Sequence, residues 1–153
     1  MAGRPRDPQG ANEARATTGY SGTPLAKKLG IVENSRVRLV GTPPAFAKLL
    51  QPLPPGVRFV TRMDETVDVA HFFLTKRAAL VDALVATLPR LRHDAAIWIS
   101  WPKKASGVRT DLVEDTIREV ALPMGLVDVK VCAVDETWSG LKLVIRRENR
   151  PPR

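Results

Sequence analysis

Val67-Asp68-Val69-Ala70-His71-Phe72-Phe73-Leu74 is a short, nearly continuous apolar run, the pattern of a central strand covered on both faces. Thr75 follows as a helix cap. Leu80, Val81, Leu84, Val85 and Leu88 then recur at helical spacing as one stripe that should pack on the sheet. Ala95-Ala96-Ile97-Trp98-Ile99-Ser100 is the next strand. Strand, helix and strand in this order imply a parallel pair joined by a right-handed crossover.

The same alternation extends outward from this unit. Upstream, Arg36-Val37-Arg38-Leu39-Val40 and Val57 to Thr61 read as strands. Between them Thr42-Pro43-Pro44 opens a short helix through Leu50, and Thr23-Pro24 opens another before Gly30. Downstream, Asp111 with Glu114 three residues later has capping-box spacing for a helix presenting Val113, Ile117, Val120 and Ala121. Leu126 to Val134 and Leu141 to Arg147 form a closing hairpin around the loop Asp135 to Gly140. The expected fold is α/β: a Rossmann-like, mostly parallel sheet flanked by helices and closed by an antiparallel C-terminal hairpin. That topology resembles the last part of the Rossmann-like methyltransferase fold, and topology does not transmit function.

The chain has 153 residues and 44% apolar side chains, the size of one core. Residues 1–18 have no apolar period and are expected to be a disordered tail. Residues 19–147 are expected to form the single α/β domain, and 148–153 a basic C-terminal tail. Net charge is +8. Three arginines against Asp7 and Glu13 in residues 1–18, and four against Glu148 in residues 146–153, supply half of it. Only Tyr20 lies near either tail to stack a base, so specific nucleic-acid binding is disfavoured and only salt-sensitive attraction is expected. No window reaches the roughly 20 apolar residues of a membrane span, and no signal-peptide pattern follows Met1. A cytoplasmic location is therefore expected. One cysteine, Cys132, and two histidines, His71 and His93, exclude a disulfide framework or a conventional structural zinc site.

In a parallel sheet, ligands bind beyond the carboxyl ends of the strands. This rule gathers Gly41-Thr42, Arg62 to Glu65, Thr75, Trp101 to Thr110 and Asp135 to Gly140. Lys103, Lys104, Ser106 and Gly107 offer ammonium groups, a hydroxyl and accessible backbone for an anion beside a helix N-terminus. Trp101 can wall a pocket, although Trp98 is expected on the same face of the strand, which would place both in core packing. Asp135, Glu136, Trp138 and Ser139 add acids, a wall and a hydroxyl, and Lys142 starts the return strand. Asp135 and Glu136, adjacent on an extended chain, point apart and make a poor shared-proton dyad. Pairing of one of them with Lys103 or Lys104, or a plain polar turn, is the ordinary alternative. His71 and Cys132 read as core residues and His93 as exposed.

The first strand-to-helix turn, Val40-Gly41-Thr42-Pro43-Pro44, has one glycine and two prolines without N–H groups. The second strand ends near Thr61-Arg62 without an acid. Both hallmarks of an adenosyl-cofactor site fail, so the sequence assigns no cofactor.

The blocks Gly19-Tyr20-Ser21-Gly22-Thr23-Pro24-Leu25-Ala26-Lys27-Lys28-Leu29-Gly30-Ile31, Trp98 to Gly107, and Gly125 to Lys142 with Cys132-Ala133-Val134-Asp135-Glu136-Thr137-Trp138-Ser139-Gly140 resemble a family of small bacterial proteins grouped as a domain of unknown function. The resemblance spans about residues 19–147. It implies a stand-alone bacterial domain and transfers no activity. Three expectations stand. One is a binding or regulatory module for a small anionic ligand or an acidic partner segment. The second is an enzyme with Asp135 or Glu136 as acid or base and Lys103 stabilising charge. The third is weak nucleic-acid attraction through the tails. A homo-oligomer through an exposed sheet edge is open to each.

Overall fold

A computed structural model describes residues 22–151; the expected N-terminal tail, Tyr20 and the last two residues of the C-terminal tail lie outside them. The central strands are β3 (Val69–Phe73) and β4 (Ala96–Pro102), and every residue of both is buried. They pair in parallel, joined by α3 (Arg77–Thr87). Upstream lie α1 (Leu25–Lys28), β1 (Arg36–Val40), α2 (Phe46–Leu49) and β2 (Arg58–Val60); downstream lie α4 (Glu114–Ala121), β5 (Leu126–Ala133) and β6 (Trp138–Ile145). The sheet order is β2-β1-β3-β4-β6-β5. The first four strands are mutually parallel, and β6 is antiparallel to both its neighbours. This is the Rossmann-like sheet with an antiparallel closing hairpin expected from the sequence.

Strand alternation divides the core into two layers. Ala70, Phe72, Ile97, Ile99 and Trp101 face Leu80 and Leu84 of α3 and Ile117 and Ala121 of α4. Val69, Phe73 and Trp98 face Phe46 and the short α1. Trp98 donates its Nε1–H to the Leu29 carbonyl at 2.9 Å, which fixes α1 to the sheet. Trp98 and Trp101 therefore lie on opposite faces, contrary to the shared face expected. They are three residues apart, and an odd separation reverses the side in a period-two strand.

Other local expectations change for similar reasons. Val85 is 57% exposed, so the α3 stripe is carried by Leu80, Leu84 and Thr87. Asp111 does not cap α4, which begins at Glu114 with no side-chain cap. Its Oδ1 accepts the Arg77 N–H at 2.6 Å and so caps α3 from a neighbouring loop. Thr75 does not cap α3, whose N-cap position is Lys76 with no side-chain cap. Trp138, Ser139 and Gly140 belong to β6, which leaves only residues 134–137 as the hairpin loop. After β6 the chain stays tied to the domain, since Asn149 Nδ2 donates to the Gly125 carbonyl and Arg150 Nε to the Ile145 carbonyl. Among the described residues no helix is long and apolar enough to cross a membrane.

At the β1 exit the chain passes close against the backbone of β3. Gly41 has φ +73°, and a Cβ there would stand 2.6 Å from the Phe73 carbonyl oxygen. Gly107 has φ +77° and open space around it. Gly41→Ala should therefore cost about 2 kcal/mol or more, against about 1 kcal/mol for Gly107→Ala. Urea unfolding of the two variants checks the order; equal losses would contradict the packing role of Gly41.

Candidate functional site

The carboxyl edge is built by three loops bonded to one another. Lys103 donates its backbone N–H to the Thr137 carbonyl and its Nζ to the Asp135 carbonyl, each at 2.7 Å. The Ser106 hydroxyl donates to the Lys103 carbonyl at 2.7 Å and accepts from the Val108 N–H. The Asp135 carboxylate accepts the N–H groups of Thr137 and Trp138 at 2.8 and 2.7 Å. The ammonium of Lys103 thus meets a backbone carbonyl, and the Asp135 carboxylate closes its own turn. Lys104 and Glu136 are exposed, and Gly107 closes the 3-10 turn over 104–106. Trp101 is buried in the α3/α4 layer, while Trp138 packs edge-on against Phe73 in the other layer. Ser139 lies across from Trp101 at the start of β6. Lys142 is not at this edge; it lies across from Trp98, farther along β6, with its Nζ over Gly30.

A second loop contact ties this edge to the start of α3, whose Lys76 and Arg77 the sequence did not single out. Thr110 Oγ1 and the Asp111 N–H both donate to the Thr75 carbonyl, at 2.7 and 3.1 Å. The segment after β4 is thereby clamped to the start of α3. The helix N-terminus beside the lysine loop is that of α3; α4 carries Glu114 and Asp115 in its first turn, a poor setting for an anion. The clamp brings the loop next to Arg109 against Lys76 and Arg77 at the α3 N-terminus; these three and Lys104, earlier in the same loop, are all exposed. None of these four forms an ion pair among the described residues.

Elsewhere Arg92 and Arg118 are paired with carboxylates. Arg92 binds Asp68 at 2.8 Å and also Asp94, and Arg118 links Glu114 and Asp115 of α4 to Asp128 of β5. Hydrogen bonds from Arg92 and Arg118 hold the Asp94 and Asp128 carboxyls below the usual range. Two cations at a helix N-terminus are opposed by the helix dipole. Lys76 and Arg77 occupy the first positions of α3, whose first turn has no acid of its own. The sequence signal was this inversion of the usual order of charge.

His71 is buried, with Nε2 2.6 Å from the Ser100 hydroxyl and Nδ1 without a partner. The ring stacks on Phe73 and meets Phe46 edge-on. A serine with a histidine in hydrogen-bond reach has the make-up of an activated nucleophile, a pairing the sequence reading did not find. Ser100 is 0% and His71 1% exposed, so neither reaches a substrate in this packing. Burial pushes the His71 pKa down to about 3. Cys132 is half-buried, and burial raises its thiol pKa. His93 is exposed, as expected.

The groups that would hold an adenosyl cofactor do not fit one. Pro43 and Pro44 offer no N–H, and the Phe46 N–H is taken by the Pro43 carbonyl. After β2 the carboxylate of Asp64 is engaged by the Thr66 N–H and hydroxyl. Among the described residues no cluster of metal-ligating side chains is present.

The fold is similar to those of solved methyltransferase structures. The chain resembles a SAM-dependent methyltransferase from Aquifex aeolicus (TM-score 0.56, 16% identity, 79% of this chain and 87% of that one). It also resembles a putative type 11 methyltransferase from Sulfolobus solfataricus (TM-score 0.55, 12% identity, 84% and 94%). A protein of the NADB-Rossmann superfamily from Streptococcus agalactiae is a third neighbour (TM-score 0.53, 11% identity, 90% and 74%). At these identities the likeness is one of fold. No curated protein matches in sequence. Residues 59–147 match a family described as a protein of unknown function (DUF3052).

Two outcomes follow from the geometry. Lys76→Ser supplies a capping hydroxyl and removes a charge from the positive helix end, so it should raise stability by about 0.5–1 kcal/mol. Urea unfolding reads this; a loss of stability would show that Lys76 has a structural role. The second concerns His71, which stays neutral in the folded state while the unfolded chain takes up its proton below the ordinary imidazole value of 6.5. Stability should therefore fall as pH drops from about 6.5 toward 3, by up to about 1.4 kcal/mol per pH unit from this group. The double variant His71→Leu, Ser100→Ala should lose that part of the slope; an unchanged slope would contradict the burial of a neutral ring.

Proposed function

The chain belongs to the family described as protein of unknown function (DUF3052), and we propose that it is a binding module whose carboxyl edge holds an acidic segment of a partner protein. The observation that carries this reading is the set of four exposed cations, Lys76, Arg77, Lys104 and Arg109, with no ion pair among the described residues. Their hosts are the α3 N-terminus and a loop clamped to it by Thr110 and Asp111, so the cations sit on a common support. Val108 and Val113, 43% and 54% exposed, lie in the same loop. Apolar side chains between cations suit a peptide with alternating acidic and apolar residues better than a bare inorganic anion.

The catalytic reading has less support. Of its suggested participants, Lys103 donates its ammonium to the Asp135 carbonyl, and the Asp135 carboxylate accepts two backbone N–H groups of its own turn. The buried Ser100 and His71 face no open cleft, and the cofactor residues are missing.

A fluorescein-labelled peptide alternating glutamate with leucine is the probe. Anisotropy should show salt-dependent binding. Combined Lys76→Ala, Arg77→Ala, Lys104→Ala and Arg109→Ala should weaken it by at least about tenfold while the protein stays folded. Lys103 is left intact because its ammonium holds the Asp135 turn. Unchanged affinity in the quadruple variant, or tighter binding of an oligonucleotide of equal charge, would overturn the reading.

A further inference from the structure

At the opposite, amino edge of the parallel strands lies a cavity of about 300 Å³, between the end of α1 and the starts of β3 and β4. We infer that it is a binding site for a small zwitterion of the size and charge pattern of a free α-amino acid with an apolar side chain. Its apolar lining comes from Leu29, Val69 and Ala96. Its polar wall is pre-organised: the Asp68 carboxylate takes the Arg36 N–H on one oxygen and Arg92 on the other, both at 2.8 Å, and Arg92 also binds Asp94. Each of those three charges is engaged in an ion pair within the group. Two lining charges are not. Lys142 and Glu33 form no ion pair among the described residues.

One unpaired cation and one unpaired anion in the same cavity call for a ligand carrying both charges. Lys142 also stands directly across from Lys130 on β5. Like charges at that spacing repel, and Lys130 turns its Nζ toward the Lys28 carbonyl at 3.3 Å. The Lys142 ammonium is left over Gly30, 3.8 Å from where a Cβ would stand. A carboxylate at Lys142 relieves this repulsion, and an ammonium meets Glu33. Ser35, 3% exposed, accepts the Val32 N–H on its hydroxyl oxygen and keeps a hydrogen to donate. The volume is at the low end for ligand pockets, which run from about 300 to 1,000 Å³, and suits a single amino acid.

The test titrates the full chain with each proteinogenic amino acid by calorimetry at millimolar concentration. At least one apolar amino acid should bind, and its N-acetyl derivative and its decarboxylated amine should each bind at least about tenfold more weakly. Lys142→Met should abolish binding with the circular dichroism spectrum unchanged. Glu33→Gln, at an exposed position, should weaken binding of the free amino acid and leave its acetylated form unaffected, which keeps the test decisive if Lys142→Met does not fold. No binding by any amino acid, equal binding of the acetylated form, or indifference to both substitutions would overturn the proposal.

Discussion

Burial of the β3–β4 pair on both faces is the constraint on which the rest depends. Two strands with no exposed residue need a layer of cover on each side, and the chain has few helices with which to supply it. The long α3 and α4 cover one face. The other is covered by α1 and α2, of four residues each, with Trp98 bonded to the α1 carbonyl end. Short helices cannot hold themselves in place by their own hydrogen bonds. Their position rests on contacts with the sheet, notably Phe46 against His71 and Phe73.

That economy shapes both sheet edges. At the carboxyl edge the long connection after β4 has no α-helix until Glu114, and it is fastened instead to Thr75 and to the hairpin turn. Fastening consumes Lys103, Ser106, Thr110, Asp111 and Asp135. The cations that remain outside this network are the part of the edge free to meet another molecule. At the amino edge the Arg92, Asp68 and Asp94 group performs the fastening, and Lys142 and Glu33 remain outside it. In each case the candidate site is the chemistry left over once the loops are secured.

Much of the fold was legible because the strands are apolar runs set off by Gly and Pro, and because α3 and α4 carry helical spacing. The sheet order and the closing hairpin followed. Less legible was any feature set by contact between distant segments. Asp111 has capping-box spacing for its own helix, yet its carboxylate serves α3, since the loop clamp brings Arg77 within reach. The Ser100–His71 bond depends on a diagonal register between β3 and β4 that neither strand encodes alone. Lys142 was grouped with the hairpin loop by sequence proximity, but the first residues of β6 run away from that loop toward the other edge. The cations at the start of α3 were visible, and their reversal of the usual charge order was the clue to the carboxyl edge.

The most direct test of the carboxyl-edge account is a two-dimensional amide NMR titration of the labelled protein with the acidic-apolar peptide. The account predicts shift changes concentrated at Lys76, Arg77, Lys104, Val108, Arg109 and Val113. Changes confined to the terminal tails or to the amino edge around Arg92 and Lys142 would contradict it.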